Sequence, residues 1–291
     1  MLNYFQILIL ALIQGACELL PVSSSAHVIA AEKLMGWWSG KPIDPSSPEL
    51  TMLLVMLHTG TMFAVIVYFW KGWKRDYFGS KAQFQWFAIQ VILATFFTGI
   101  VGVGLKFVIE KVFMRGVEHA EIENLFSNLP LIAGALTAVG LLIIYAGLNE
   151  NKSREHSEIQ PHHSFWIGIV QGLCLPFRGF SRSGATISTG LILGLPKQKL
   201  EEFSFALAVV LTPPIIAQEA HRLVKAHALS GQNSVLHLFV PGLVGMVLSF
   251  IAGLLALKLL SRWLEGGRWK FFGFYCLVAA AAVLAIHFKV K

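Results

Sequence analysis

Two short polar stretches, set deep in apolar sequence, carry the residues that could do chemistry. Residues 14–27 read QGACELLPVSSSAH, and residues 171–186 read QGLCLPFRGFSRSGAT. Each begins with Gln-Gly-x-Cys at the end of an apolar run, breaks at a proline and continues into another apolar run behind a group of serines. This order is typical of a helix, a turn and a second helix capped by serine. The two stretches are therefore the candidate site.

The residue types at the two breaks predict an anion site. Free N–H groups and the positive end of the dipole at a helix N-terminus attract an anion, and a guanidinium such as that of Arg182 binds phosphate. Phosphate is therefore the expected ligand. The residues predicted to bind it at the tips are Ser23, Ser25, Ser181, Ser183 and Gly184.

A carboxylate, a hydroxyl and an imidazole in the first stretch predict phosphoryl transfer. Ser24 lies three residues before His27 and Gln14 lies four residues before Glu18, so the members of each pair share a helix face. In this hypothesis a serine hydroxyl is the nucleophile, Glu18 is the base or a metal ligand, His27 carries the proton and Arg182 stabilises the developing charge.

Some of these residues have a purely structural alternative. Serines before a helix commonly only cap it, and a histidine in a membrane can simply be hydrogen-bonded. Glu18 and Arg182 are harder to explain in that way, because a charge in the bilayer interior is costly and normally marks a site. His58, in the third apolar run, is a weaker candidate, and so is Arg178, which would contribute only if it turned inward.

The composition predicts an integral membrane protein. The 291 residues are 55% hydrophobic and 13% charged, with a mean hydropathy of +0.66, which is more apolar surface than a soluble domain could bury. The net charge of +7 could suggest nucleic acid as a partner. We exclude nucleic acid, because the basic residues lie in short gaps between apolar runs, where the positive-inside rule places them.

The apolar runs predict an all-α fold of six transmembrane helices and two re-entrant helical hairpins. The runs beside the polar stretches, 5–13 with 28–38 and 165–175 with 185–195, are too short to span. The six longer runs are 51–70, 84–109, 130–148, 203–217, 236–260 and 271–288. A broken helix at membrane depth must be buried in protein or line a cavity, so the hairpins should meet near the midplane.

The order of these runs predicts two inverted-topology repeats. A hairpin and three spans occur twice, and an odd number of crossings turns the second copy over. The predicted first repeat is 1–148, the second is 164–291, and 149–163 is a cytoplasmic linker. A loop that contains Glu110, Glu118, Glu121 and Glu123 is expected on the outer side.

Residues 18–27 (ELLPVSSSAH) and 179–186 (GFSRSGAT) resemble the two signature motifs of the bacterial undecaprenyl-diphosphate phosphatases, the bacitracin-resistance proteins. Similarity at 57–60 and 202–205 extends the resemblance over the whole chain. It implies hydrolysis of a C55 polyprenyl diphosphate to the monophosphate carrier for peptidoglycan and other envelope polymers. It also implies a bacterial cytoplasmic (inner) membrane, membrane lipids as neighbours and a site that opens outward. A polyprenyl-phosphate transporter or flippase of the same fold is the alternative, and the oligomeric state stays open, with a homodimer as one option.

Carried over by motif position, the resemblance makes Glu18 the acidic catalytic or metal-binding residue, Ser24 the nucleophile, His27 the proton carrier and Arg182 the phosphate ligand. It also adds Thr186 to the phosphate-binding residues. A divalent cation, Mg²⁺ or Ca²⁺, is implied, although Gln14 stands where the family can have a second carboxylate, so that a cation has fewer anionic ligands here. A phosphoserine intermediate and direct attack by water both remain open.

Overall fold

The computed structural model describes residues 3–44, 47–113, 125–149, 158–230 and 236–289. Within these ranges the regular structure is entirely helical, which confirms the predicted all-α class. The helices are α1 (Tyr4–Leu19), α2 (Ser24–Ser39), α3 (Pro48–Asp76), α4 (Lys81–Val108), α5 (Leu129–Asn149), α6 (Pro161–Cys174), α7 (Arg182–Ile192), α8 (Lys197–Ser230), α9 (Leu236–Glu265) and α10 (Trp269–Lys289). A π-helical turn, Ile109–Phe113, continues α4.

Five of the described helices are long and apolar enough to cross a membrane, as expected for a multi-pass membrane protein. They are α3, α4, α5, α9 and α10, and they coincide with five of the six predicted spans. The sixth predicted span, 203–217, lies inside α8, which has 34 residues but is not among the five. The first six residues of α8 include four charged ones, Lys197, Lys199, Glu201 and Glu202, which lower the hydropathy of its start.

Two segments of the prediction fall partly outside the described residues. Glu118, Glu121 and Glu123 of the predicted outer loop lie there, and so do residues 150–157 of the predicted linker. Glu110 is described, and its Oε1 lies 3.7 Å from Nζ of Lys106.

Short helices flank each polar stretch. α1 and α2 have 16 residues each, and α6 and α7 have 14 and 11. At 1.5 Å per residue, 16 residues reach about 24 Å, which is less than the roughly 30 Å of bilayer hydrocarbon. The chain breaks between them at residues 20–23 and 175–181, next to Pro21 and Pro176, as predicted.

Each first hairpin helix packs against a long helix of the other half of the chain. α1 packs on α9, and α6 packs on α4. Glycines make these approaches close, because a Cβ on Gly15 would lie 2.6 Å from the carbonyl oxygen of Ser249, and one on Gly172 would lie 2.9 Å from that of Thr98. The two polar stretches are therefore positioned by both halves together.

α5 and α10, the last helix of each half, form an extensive contact. A Cβ on Gly273 would lie 2.5 Å from the carbonyl oxygen of Gly140, and a Cβ on Gly140 would lie 3.0 Å from that of Gly273. Small residues allow membrane helices to approach in this way.

Candidate active site

The first polar stretch folds so that a carboxylate and a hydroxyl meet across the turn. Glu18 lies in the last turn of α1, and Ser24 is the first residue of α2. Ser24 Oγ donates a hydrogen bond of 2.5 Å to Glu18 Oε2. Gln14, one helical turn before Glu18, donates from Nε2 to the same oxygen at 3.0 Å, as the predicted common face requires.

The turn before α2 has an unusual backbone. Ser23 has φ of 67°, the one positive value among non-glycine residues in the described ranges. It is the N-cap position of α2, but its side chain makes no capping hydrogen bond, so serine does not cap this helix as predicted. The first N–H groups of α2 are therefore not satisfied by this residue, as a helix N-terminus that binds an anion requires.

The second polar stretch brings its arginine to the same carboxylate. α7 begins at Arg182, and Ser181 caps it by accepting a hydrogen bond of 3.2 Å from the backbone N–H of Gly184. Arg182 Nη2 donates to Glu18 Oε1 at 3.0 Å, and both side chains are about one-fifth exposed. Ser183 Oγ donates to the Leu20 carbonyl at 3.2 Å. The two stretches thus form one site, with one oxygen of Glu18 facing Ser24 and the other facing Arg182.

A cavity of about 1100 Å³ opens onto this site. Its polar lining includes Gln14, Glu18, Ser23, Ser24, Ser25, His58, Arg178, Ser181, Arg182 and Ser183. Its apolar lining includes Trp37, Ile43, Leu50, Leu54, Phe126, Leu175 and Phe177. An apolar cavity with a few converging polar groups is the usual form of a small-molecule site.

The two histidines lie differently from the prediction. His27 is not among the residues that line the cavity; its Nδ1 lies 2.8 Å from the Ser23 carbonyl oxygen and its Nε2 lies 2.8 Å from the Tyr275 hydroxyl. His58, the weaker candidate, lines the cavity, and its Nε2 lies 3.9 Å from Glu18 Oε2. The structure therefore brings His58, and not His27, to the carboxylate.

Two of the residues predicted to bind phosphate do not line the cavity. Gly184 and Thr186 are not among the cavity-lining residues. Thr186 is fully buried and its Oγ1 lies 2.6 Å from Ser204 Oγ, which joins α7 to α8. Arg178, by contrast, does line the cavity, and its guanidinium lies 4.4 Å from the centre of the Phe126 ring.

Two polar residues near the site were missed by the sequence reasoning. Glu32 is 8% exposed and lines the cavity. The rule that singled out Glu18, the cost of a carboxylate inside an apolar run, could have found it. Tyr275 holds His27 from α10, 248 residues away in sequence, and no local pattern indicates such a contact.

The donors at this site do not suit a resident divalent cation. Among the described residues, no group of three or more His, Cys, Asp and Glu side chains could hold a metal ion. Glu18 is hydrogen-bonded at both oxygens and pairs with a guanidinium, so it offers one occupied carboxylate where Mg²⁺ and Ca²⁺ prefer several oxygen ligands.

Comparison with known proteins identifies a family. A family model described as bacitracin resistance protein BacA matches residues 7–282. "Undecaprenyl-diphosphatase 2" of Acinetobacter baylyi is 55% identical over 288 residues, 98% of each chain. The protein of the same name from Burkholderia ambifaria is 34% identical over 94% of each chain, and "Undecaprenyl-diphosphatase" of Bacteroides fragilis is 31% identical over 98% of each. The family model and these relatives cover nearly the whole chain, which therefore belongs to the bacitracin-resistance protein BacA family.

Proposed function

We propose that this chain hydrolyses undecaprenyl diphosphate to undecaprenyl phosphate and inorganic phosphate. The names of its relatives support this reaction. The observation that carries the proposal is the contact of Glu18 with both Ser24 Oγ and Arg182 Nη2, since it joins a hydroxyl, a base and a cation at one end of a partly apolar cavity. The product would be recycled as the carrier for peptidoglycan and other envelope polymers.

In the proposed mechanism Ser24 is the nucleophile. Its Oγ forms a bond to the terminal phosphorus while Glu18 Oε2, 2.5 Å away, takes the hydroxyl proton. The bond from that phosphorus to the bridging oxygen breaks, and its electron pair leaves with the lipid monophosphate. The water oxygen then forms a bond to the phosphorus of the phosphoserine, and the bond from that phosphorus to Ser24 Oγ breaks. One water proton passes to Oγ, which restores the Ser24 hydroxyl and frees inorganic phosphate. Direct attack by water, with Ser24 only as a ligand, is the alternative.

Arg182 and the helix N-termini would hold the phosphate. In the structure the Arg182 guanidinium donates a hydrogen bond to Glu18. A substrate phosphate would bind the same guanidinium and would also accept hydrogen bonds from the backbone N–H groups at the uncapped start of α2. Ser23, Ser25, Ser181 and Ser183, which line the cavity, are the further proposed ligands. Interactions of this kind lower the barrier because charge develops on the phosphoryl oxygens.

We infer that His27 holds the backbone of the turn before α2 in place and does not carry the proton of the reaction. A carbonyl only accepts hydrogen bonds, so Nδ1 must donate to Ser23, and Nε2 of the neutral ring then accepts from Tyr275. The positive φ of Ser23 costs free energy, and the hydrogen bond from His27 to the Ser23 carbonyl helps to stabilise this backbone conformation.

A divalent cation would come with the substrate. Mg²⁺ at diphosphates is held largely by phosphate oxygens and water, and then needs few protein carboxylates. Bound in this way it would neutralise part of the substrate charge. No step above depends on it, and a homodimer likewise remains a prediction.

The inverted-repeat architecture with six spans is also part of the proposal. Gly15 approaches Ser249 and Ala252, and Gly172 in the equivalent motif approaches Thr98 and Val101 with the same three-residue spacing. This exchange of partners, with the mutual approach of Gly140 and Gly273, supports a twofold relation between the halves. The basic end of α3 (Lys71, Lys74, Arg75) would face the cytoplasm, and the cavity, which begins at its other end, would face outward across the inner membrane.

The test is phosphate release from a polyprenyl diphosphate by purified protein in detergent. We expect Ser24→Ala to lower the rate by at least roughly 10³-fold. Ser39→Ala, at the far end of the same helix, is the matched control and should retain the wild-type rate. If Ser24→Ala is as fast as wild type, Ser24 is not the nucleophile. A wild-type chain that releases no phosphate but moves polyprenyl phosphate across sealed vesicles would instead support the transporter alternative.

A further inference from the structure

The reaction proposed above leaves a proton to be removed. At neutral pH a phosphate monoester is mostly doubly ionised, so splitting a diphosphate with water releases about one proton. That proton first reaches Glu18, which is only 18% exposed. While protonated, the carboxyl group loses its charge pairing with Arg182 and cannot accept another proton. Each turnover therefore needs a group that takes the proton from Glu18.

We propose that His58 accepts this proton from Glu18 and passes it to water in the cavity. The proposal rests on the hydrolysis proposed above and adds a residue that acts through Glu18 without touching phosphorus. Glu18 Oε2, the oxygen to which Ser24 donates, is also the oxygen that faces His58, with Nε2 at 3.9 Å. The oxygen that receives the hydroxyl proton is thus the one that faces the imidazole.

The hydrogen bond at the other ring nitrogen makes Nε2 the acceptor. His58 Nδ1 lies 2.8 Å from the carbonyl oxygen of Leu54, one turn earlier in α3. Because a carbonyl only accepts, Nδ1 carries the hydrogen and the lone pair of the neutral ring is on Nε2. Across 3.9 Å the transfer runs through one bridging water, which takes the proton as the O–H bond of Glu18 breaks and gives one of its own protons to Nε2. It leaves the Glu18 carboxylate and a His58 imidazolium.

The exposure of His58 allows the second transfer. Its side chain is 37% exposed in the cavity lining, about twice the exposed fraction of Glu18. His27 lacks both properties, since its two nitrogens are bonded to Ser23 and Tyr275 and it does not line the cavity. His58 is therefore placed between the buried carboxylate and water, and His27 is not.

Packing holds this part of α3 in place. Gly60 lies so close to Met246 and Ser249 of α9 that a Cβ would not fit, and Ser249 Oγ donates to the Leu57 carbonyl at 3.0 Å. Neither α9 residue is ionisable. The ionisable groups that share the cavity with His58 are Cys17 and Glu18 of α1, Glu32 and Lys33 of α2, Cys174 of α6, Arg178 before α7 and Arg182 in α7. The group that its Nε2 approaches is Glu18.

Chemical rescue tests the proposal. We expect His58→Ala to lower phosphate release by roughly 10²-fold, the lower end of what a proton-transfer group contributes. Imidazole added to the assay should recover at least about tenfold of that loss, because the vacated site is open to the cavity. His58→Gln fills the same space with a side chain that cannot accept the proton, so it should be slow and should not respond to imidazole.

His27→Ala is the matched control. It removes the same ring but breaks the contacts with Ser23 and Tyr275, so imidazole should not restore its activity. His58→Ala within twofold of wild type, or a loss that imidazole does not reverse in it, would overturn the relay while leaving the hydrolysis intact. A wild-type protein that releases no phosphate would overturn both proposals.

Discussion

The ion pair between Glu18 and Arg182 should contribute to stability as well as to catalysis. With the hydrogen bond from Ser183 to the Leu20 carbonyl, it ties the two polar stretches together, and its Nη2 and Oε1 atoms are 3.0 Å apart across 164 residues. We expect a double-mutant cycle of Glu18→Gln, Arg182→Gln and the double variant to give a coupling free energy of about 2 kcal/mol. The double variant should then be more stable than the sum of the single losses implies.

The magnitude follows from partial burial. Exposed pairs give less than about 1 kcal/mol, and breaking a fully buried pair costs about 3–5 kcal/mol. Glu18 and Arg182 are 18% and 21% exposed and share one hydrogen bond, and Glu18 keeps Ser24 and Gln14 as donors when Arg182 is lost. These contacts place the coupling between the two limits.

The assay is the free energy of unfolding in SDS titration of the detergent-solubilised protein, which does not depend on activity. Lys106 and Glu110 give a matched control, because this pair is also ionic but is longer, at 3.7 Å, and Lys106 is 51% exposed. After screening by solvent, its coupling should be below about 0.5 kcal/mol. Single losses at Glu18 and Arg182 that add to within about 0.5 kcal/mol would refute the idea that the pair holds the hairpins together.

Two further predictions concern helix packing and the cation. Gly273→Ala should lower the free energy of unfolding by about 1–3 kcal/mol, because the added Cβ would meet the Gly140 backbone. Gly134→Ala, in open space on α5, should be neutral or should raise it by up to about 1 kcal/mol. Equal effects of the two substitutions would contradict the close contact. Elemental analysis of dialysed protein should find less than one Mg²⁺ or Ca²⁺ per chain, while a chelator should slow phosphate release until Mg²⁺ is returned. A cation retained at one per chain through chelation would show a resident site.

Hydropathy predicted five of the six spans, because the side chains of a helix that crosses the lipid hydrocarbon must be mostly apolar. The predicted span at 51–70 lies inside α3, which continues through Lys71, Lys74 and Arg75 to Asp76. Charged residues at the interface can remain helical, and hydropathy reports only the apolar part of such a helix. The prolines at the two breaks were also informative, since a proline in a helix interior removes a backbone hydrogen bond. Proline alone does not decide a break, because Pro213, Pro214 and Pro241 lie inside helices that continue past them.

α8 was predicted less well because its charged first turns are buried by partners far away in sequence. It begins at Lys197, and Glu201 and Glu202 are 4% and 3% exposed. Ser261 of α9 donates to Glu201 at 2.5 Å, and Trp73 of α3 donates to the Glu202 carbonyl at 3.2 Å. Nothing local in the sequence distinguishes such acids from acids exposed at a helix start.

The contacts of the site were predictable between residues close in sequence. They were not predictable where they depend on how the helices are oriented relative to one another. Glu18 and Ser24 flank one turn, so their meeting follows from the motif itself. His27 shares a helical spacing with Ser24, but in the first turn of α2 the unusual backbone at Ser23 and the position of α10 decide where each side chain points. Helical periodicity contains neither quantity, so the sequence ranked His27 above His58.

The exchange of partners between the halves has a consequence for biogenesis. α1 is complete when Leu19 has been made, but α9, the helix on which Gly15 packs, starts only at Leu236. At translation rates of 5–20 residues per second, this interval is roughly ten to forty seconds. During it the nascent hairpin carries Glu18 without Arg182 at first and without its packing surface throughout. The acidic half of the site is thus synthesised long before the helix on which it packs.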